Sequence, residues 1–478
     1  MQMPPAADRR QLSQLFRSVV KILSVSDAPD YDQPWQTRGA VSSAGSGAIV
    51  ATKNGPRVLT NAHCVENHAF IEVRRYGKSR KYVAKVEALG YECDLALLDI
   101  EDPAFYHGTV PIPLGELPEL SDQVSVCGYP VGGERMSITN GVVSRIEIVR
   151  YAHRQRRLLA VQIDAAINAG NRGGPVIMEG KIVGVAFQAL DEAEHIGYMI
   201  AVPVIEHFMR DVKDGRFEGF PSLGIVVQPL ESRAHRRQLG LPKQIDGGIL
   251  VNRIVHGGSA SGTLREDDVL LEVDGTEIAA DGTVEFRNGE MLSFDYVISR
   301  HHVGETVDVK IWRDGGALSC VVRLKAPKYL VAEERYDAPP TYFIYGGLLF
   351  VPLTRDYLRT WDDWWMTAPK QLVALYERGI PTSRRAQPVV LQKVLADSVN
   401  QGYHALESVL IYTCQGKRVR SLAHMIEIIA STQEDFVRFA SEDGLRVVID
   451  TKEAAQRSEK VLARFRVSAD RSSDLLPG

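Results

Sequence analysis

Cysteine is scarce in this chain: five in 478 residues, at Cys64, Cys93, Cys127, Cys320 and Cys414. No C-x-x-C pair exists, and an odd, scattered set excludes a disulfide framework; five buried thiols in a reducing compartment are expected. Charge of one sign is also lacking. The net charge is −4, too close to neutral to make nucleic acid or an anionic membrane the main partner. No apolar run approaches the ~18–20 residues of a membrane span. The first 23 residues carry Asp8, Arg9, Arg10, Arg17 and Lys21 without an apolar core, so no secretory signal is visible and a cytoplasmic protein is expected. Neither an i,i+4 His pair nor a Cys/His cluster supports a metal, His301-His302 included. Without a phosphate-cradling motif, no cofactor is implied.

What is present is a three-part text. At roughly 150 residues per domain the length suggests about three domains. Residues 9–23 read as a short helix in an N-terminal segment, 1–40. From 41 to 215, short Val- and Ile-rich runs alternate with Gly, Asn and Asp turns, the pattern of an all-β barrel or sandwich. A second block, 220–328, and a third, 340–452, each read as a small β barrel with one or two helices. They look like a divergent repeat. The third holds a partly helical insertion with Trp361, Trp364 and Trp365. A charged helix, 451–464, and a polar tail close the chain within 453–478.

Chemistry concentrates in the first block. Leu59-Thr60-Asn61-Ala62-His63-Cys64-Val65 sets a His at the end of an apolar strand. Glu92-Cys93-Asp94-Leu95 sets an Asp ahead of another, and Asp164 to Pro175 is a Gly-rich turn between strands. Each is weak alone, but the order His, Asp, Gly-rich loop is that of the two-barrel serine proteases. A neutral His takes the nucleophile's proton, a buried Asp orients it, and glycine-turn amides stabilise the oxyanion.

Thr60-Asn61-Ala62-His63-Cys64-Val65, Asp94-Leu95-Ala96-Leu97-Leu98, Gly128-Tyr129-Pro130 with Gly132, and Ile167-Asn168-Ala169-Gly170-Asn171 followed by Gly173-Gly174-Pro175 resemble the HtrA/Deg proteases, and Val19-Val20-Lys21-Ile22 through Pro34-Trp35-Gln36 together with Phe350-Val351-Pro352-Leu353-Thr354 resemble the plant-type Deg branch in particular. The resemblance implies a mainly β chain: a chymotrypsin-like double β-barrel followed by two PDZ-like domains. It implies His63 and Asp94 as base and orienting acid, an oxyanion hole from Gly170, Asn171 and Arg172, and a substrate pocket of Ile167, Ala186, Phe187 and Gln188. It implies peptide binding by Leu223, Gly224 and Ile225 in the first PDZ domain, with Gly346-Gly347-Leu348-Leu349 as the counterpart in the second. The basic hairpin tip 148–157 resembles by position the family's sensor loop. Unfolded or C-terminally exposed polypeptides would be the partners, and the chain would assemble as a homo-oligomer, a trimer or a multiple of trimers.

One residue departs. The family's loop reads Gly-Asn-Ser-Gly-Gly-Pro with Ser as nucleophile; here Arg172 stands there. A guanidinium stays protonated at any accessible pH and cannot be acylated, so a catalytically inactive chain is expected. Arg172 either reaches Asp94 or Asp164 or fills the cleft, or it stays hydrated. It is natural in a pseudoprotease, or a substitution in an otherwise competent endopeptidase. Cys64 is a poor substitute, because in an extended segment its side chain points away from the His face. Cys93 precedes the Asp and lacks the glycine turn.

Overall fold

The computed structural model describes residues 14–130, 133–151, 156–189, 197–287 and 289–476, apart from the side chains of 169, 188 and 189. They form two compact units: residues 40–327 together with the stretch up to Ser26, and residues 328 onward together with Asp27–Gly39.

In the first unit two six-stranded sheets each close into a barrel. The first uses Val19–Ser26, Val41–Thr52, Gly55–Thr60, His68–Arg75, Lys81–Gly90 and Leu95–Ile100. Closure leaves no sheet edge unpaired, and strand side chains such as Val20, Ile22, Val58 and Leu98 fill the interior together with Phe105 from the 3-10 turn Pro103–Tyr106. The second barrel runs through Gln123–Gly128, Ser137–Arg150, Arg157–Ile163, Pro175–Met178, Lys181–Ala189 and Gly197–Ala201. The helix Val202–Asp211 packs across its end through the buried Val204, Ile205 and Phe208.

The expected helix over 9–23 holds at residues 14–16 and is corrected beyond them. Val19–Ser26 is a strand, paired antiparallel with Val41–Ala48 on one side and His68–Arg75 on the other. The β-branched Val19, Val20 and Ile22 suit a barrel wall better than a helix. Residues 9–13 lie outside the described residues.

The same unit continues into an antiparallel sheet ordered Ile225–Gln228, Ile249–Ile254, Val269–Val273, Thr306–Arg313, Gly316–Arg323. Ile225–Gln228 is an edge strand. The Asp295–Ser299 helix buries Val297 and Ile298. It is shorter than the sequence suggests, because Glu290–Ser293 is a strand.

The second unit repeats the plan with a sheet of Phe343–Tyr345, Leu348–Pro352, Val389–Val394, Val409–Cys414, Phe436–Ser441 and Arg446–Asp450. The insertion carries short helices at Arg355–Leu358, Trp364–Thr367 and Lys370–Arg378. Thr451–Arg464 is helical, as read from its charge pattern. Residues 27–39 pack here: Trp35 meets Tyr342 edge-on at 5.9 Å, and the Gln392 amide donates to the carbonyls of Tyr31 and Asp32 at 3.0 Å each. Among the described residues no helix is long and apolar enough to cross a membrane.

Candidate active site

His63 sits in a 3-10 turn, Ala62–Cys64, that ends the strand Gly55–Thr60. Asp94 lies just ahead of Leu95–Ile100 with a left-handed backbone, φ 53°, a conformation Asp tolerates better than most residues. The two strands are neighbours, with Thr60 opposite Ala96, and this register brings the side chains together. Asp94 Oδ2 is 2.7 Å from His63 Nδ1, and Asp94 Oδ1 accepts the His63 backbone N–H at 3.0 Å. Asp94 is buried, while the His63 side chain keeps 21% exposure. Nδ1 therefore carries its proton toward the carboxylate, and in the neutral ring Nε2 holds the lone pair that can act as a base. Burial works against the charged imidazole, but the Asp94 carboxylate, with a smaller contribution from Cys64, outweighs it and lifts the His63 pKa well above its ordinary value.

The second barrel brings the glycine turn to this pair. Ala169–Asn171 forms a 3-10 turn that Arg172 terminates. Gly173 has φ +79°, and any Cβ there would lie 2.4 Å from both the Ser46 carbonyl and the Thr60 hydroxyl. A Cβ at Gly174 would lie 2.2 Å from the Cys127 carbonyl. Glycine is obligatory at both. The Asn171 amide is held by the Asn168 carbonyl at 2.9 Å, which leaves the amides of Gly170 and Arg172 as the pair suited to an oxyanion.

Arg172 makes no ion pair with Asp94, Asp164 or any other carboxylate among the described residues. Its Nε is buried without a hydrogen-bond partner among them. The alternative in which Arg172 breaks the His–Asp pair is thereby corrected: the pair is intact. Ile167, Ala186 and Phe187 are buried together in the second barrel's core. The side chain of Gln188 lies outside the described residues.

Three things were not read from the sequence. Ser46 ties the turn to the first barrel: its hydroxyl donates to the Gly170 carbonyl at 2.8 Å and accepts the Tyr129 N–H at 2.7 Å, and its amide donates to the Arg172 carbonyl. The Gly-Ser-Gly run at 45–47 was its only signal. Asn61 donates to the Asp94 carbonyl at 2.9 Å. Cys64 does not point away from the His face, because the 3-10 turn replaces the extended geometry that alternation assumes. Its thiol is hydrogen-bonded to the imidazole and lies 3.8 Å from the Arg172 carbonyl. Cys93 is fully buried, and burial, with the Glu92 and Asp94 charges, pushes its pKa well up.

In the first PDZ-like sheet, Gly224 has φ +68°. The carbonyls of Leu223 and Gly224 accept from Ala260 and Val255, and the Gly224 amide donates to the Ser222 hydroxyl at 3.1 Å. Ile225 opens the edge strand. In the second sheet Gly346 and Gly347 form a closed hairpin turn whose carbonyls accept from Asn400 and Leu395. Of the basic hairpin, 152–155 lie outside the described residues. Arg156 donates to the carbonyl of Phe220 at 2.9 Å and to that of Pro221.

The description "Trypsin-like peptidase domain" matches residues 45–185, and "PDZ domain" matches 221–284 and 331–474. Protease Do-like 2, chloroplastic, of Arabidopsis thaliana is 37% identical over 96% of this chain and 76% of its own length. The chain belongs to the HtrA/Deg family of serine proteases. Protease Do-like 4, mitochondrial, of the same plant is 36% identical over 98% of the chain and 88% of its own. The solved HtrA-type protease AlgW with a decapeptide covers 70% of the chain and 99% of itself, at 20% identity and TM-score 0.51, a likeness of fold.

These relatives overturn the cytoplasmic expectation: several HtrA/Deg relatives carry mitochondrial or chloroplastic names. Organelle transit segments are amphipathic and Arg-rich. A missing apolar core therefore speaks only against a secretory signal.

Proposed function

We propose that this chain is an HtrA/Deg-type, ATP-independent endopeptidase scaffold of protein quality control that does not cleave, because Arg172 occupies the nucleophile position. The observation that carries the reading is the intact His63–Asp94 pair, 2.7 Å apart, facing a glycine turn that offers a guanidinium instead of a hydroxyl. His63 is the base, Asp94 its orienting acid, and the amides of Gly170 and Arg172 the oxyanion donors. Ile167, Ala186, Phe187 and Gln188 wall the substrate pocket. Without an attacking oxygen, only binding and the oxyanion hole remain, several decades of rate below the complete machinery.

Binding survives the loss. The loop at Leu223, Gly224 and Ile225 receives a C-terminal carboxylate, for which the Gly224 N–H exchanges its bond to the Ser222 hydroxyl, and the peptide extends the edge strand Ile225–Gln228. Unfolded or C-terminally exposed polypeptides are the partners. The chain works as a homo-oligomer, a trimer or a multiple of trimers, in the mitochondrion or chloroplast; the names of its relatives support the compartment. A second reading, a natural pseudoprotease acting as a holdase or regulatory subunit, is favoured by the free edge of that strand.

Cleavage of a fluorescent unfolded-protein substrate by this chain and by Arg172→Ser, with His63→Ala as blank, decides between them. Activity only in Arg172→Ser marks a scaffold silenced at one residue; silence in both marks the pseudoprotease. Activity in the unaltered chain that is lost in Cys64→Ala would overturn both and make the thiol the nucleophile.

A further inference from the structure

The Gly-Ser-Gly run at 45–47 lies in the strand Val41–Thr52 of the first barrel, yet its central residue reaches into the second. Ser46 is fully buried, and no side chain fits on either side of it. A Cβ at Gly45 would lie 2.7 Å from the Cys64 Sγ, and one at Gly47 would lie 2.9 Å from the Leu59 carbonyl oxygen, closer than real Cβ atoms come. The two glycines let this strand run tightly against the segment that carries His63.

Ser46 makes four hydrogen bonds with its hydroxyl, amide and carbonyl. Its hydroxyl donates to the Gly170 carbonyl at 2.8 Å and accepts the Tyr129 N–H at 2.7 Å. Its amide donates to the Arg172 carbonyl at 3.0 Å. Its carbonyl accepts the Thr60 hydroxyl at 2.7 Å. Thr60 ends the strand Gly55–Thr60 that leads to His63, and Tyr129 follows the strand Gln123–Gly128. One buried residue therefore relates the strand of the base to two carbonyls of the glycine turn.

Those carbonyls bracket a peptide unit. The peptide bond is planar, so fixing the Gly170 C=O sets the unit that joins 170 to 171, and fixing the Arg172 C=O sets the unit that joins 172 to 173. The unit between them carries the Arg172 N–H. A turn with glycine at 170, 173 and 174 has little stiffness of its own, so its shape follows from what it is tied to. Both ties from Ser46 go to backbone, and neither depends on the side chain at 172. We propose that Ser46 is the positioning residue of this turn: it places the Gly170 and Arg172 amides relative to His63, whatever side chain stands at 172. The assignment rests on the reading of these amides as the oxyanion donors.

Amide exchange in the full, unaltered chain and in Ser46→Ala tests it without needing activity. Loss of the hydroxyl should speed exchange about tenfold at Asn171, Gly173 and Gly174, whose N–H groups bond to the carbonyls of Asn168, Ala186 and Asn171. The paired strands Arg157–Ile163 and Gly197–Ala201 should be unchanged. Acceleration spread evenly over the second barrel would mean a general loss of stability, and none at the turn would mean that the tie is idle; either overturns the proposal. A second test adds Ser46→Ala to Arg172→Ser. A misplacement of about 1 Å costs on the order of 10²-fold in rate, so kcat should fall by about that factor with KM nearly unchanged. Ser46→Cys keeps a weak donor and should recover part of the loss. A raised KM at unchanged kcat would overturn the assignment. If Arg172→Ser is itself silent, the scaffold reading fails instead, and exchange in the unaltered chain still decides the role of Ser46.

Discussion

Asp94 grips His63 at two points, the backbone N–H at 3.0 Å and the ring Nδ1 at 2.7 Å. The first fixes where the imidazole sits and the second fixes which nitrogen carries the proton. Together they leave the Nε2 lone pair on the side of the ring away from Asp94, in a cleft where Arg172 offers no hydroxyl to deprotonate.

The raised pKa of His63 sets a pH signature. The imidazolium is favoured in the folded state, so the pairing contributes its full stability below the ordinary His range. That contribution is lost as pH rises through the raised value. Cleavage by Arg172→Ser needs the neutral ring, so its rate should climb on the alkaline side of the ordinary His range. Adding Asp94→Asn should move the climb to lower pH and cut the rate by about 10⁴. A pH–rate profile of the two variants checks both statements; a climb centred on the same pH in both would contradict the assignment.

Gly173 holds the turn in place. Gly173→Ala would impose a side chain at φ +79° and drive a Cβ to 2.4 Å from backbone and hydroxyl oxygens. Left-handed strain of about 1–2 kcal/mol adds to overpacking of about 1–3 kcal/mol. The melting temperature of the first unit should fall sharply, whereas Gly215→Ala, equally left-handed but in open space, should show the backbone cost alone. Similar losses in the two variants would mean that the contacts at Gly173 relax.

The catalytic order was legible because chemistry restricts residue types: only certain letters can be base, orienting acid and tight turn. The barrels were legible from short apolar runs. What could not be read depends on non-local pairing. Val19–Ser26 carries enough apolar residues for either element, and its two neighbouring strands decide. Cys64 was misread because strand alternation was extended past Thr60 into a 3-10 turn. Ser46 lies far from the turn it braces, so no local pattern announces it.

The joint at the start of the first PDZ domain yields a third expectation. Arg156 donates to the Phe220 and Pro221 carbonyls, and Glu92 accepts the Phe220 N–H at 3.0 Å and lies 3.8 Å from Arg156. Hydrogen bonds from a charged donor are worth about 1.5–3 kcal/mol each. Arg156→Gln should therefore loosen the joint, seen as faster amide exchange at Phe220 to Leu223. Exchange as slow as in the unaltered chain would show that packing alone holds it.

In the second unit the terminal helix is held by one carboxylate. Arg457 donates from Nε to Asp397 Oδ1 at 2.7 Å and from Nη2 to Oδ2 at 2.5 Å, while Asp397 also caps the Ser398–Asn400 turn. Asn400 passes the constraint on, donating to the Gly346 carbonyl at 2.8 Å. The Arg457 hydrogen bonds hold the Asp397 carboxyl far below the usual carboxylate range. A depressed pKa contributes stability above the ordinary value and loses it as pH falls through that value toward the depressed one. Asp397→Asn keeps the shape but removes the charge, and with it the charge-assisted bonding to Arg457 at neutral pH. Amide exchange along Thr451–Arg464 should rise accordingly at neutral pH, and the gap between variant and parent should narrow as acid protonates the parent. A gap that stays constant down to strongly acid pH would place the helix's anchorage in its apolar contacts, Ala454 and Val461, rather than in the ion pair.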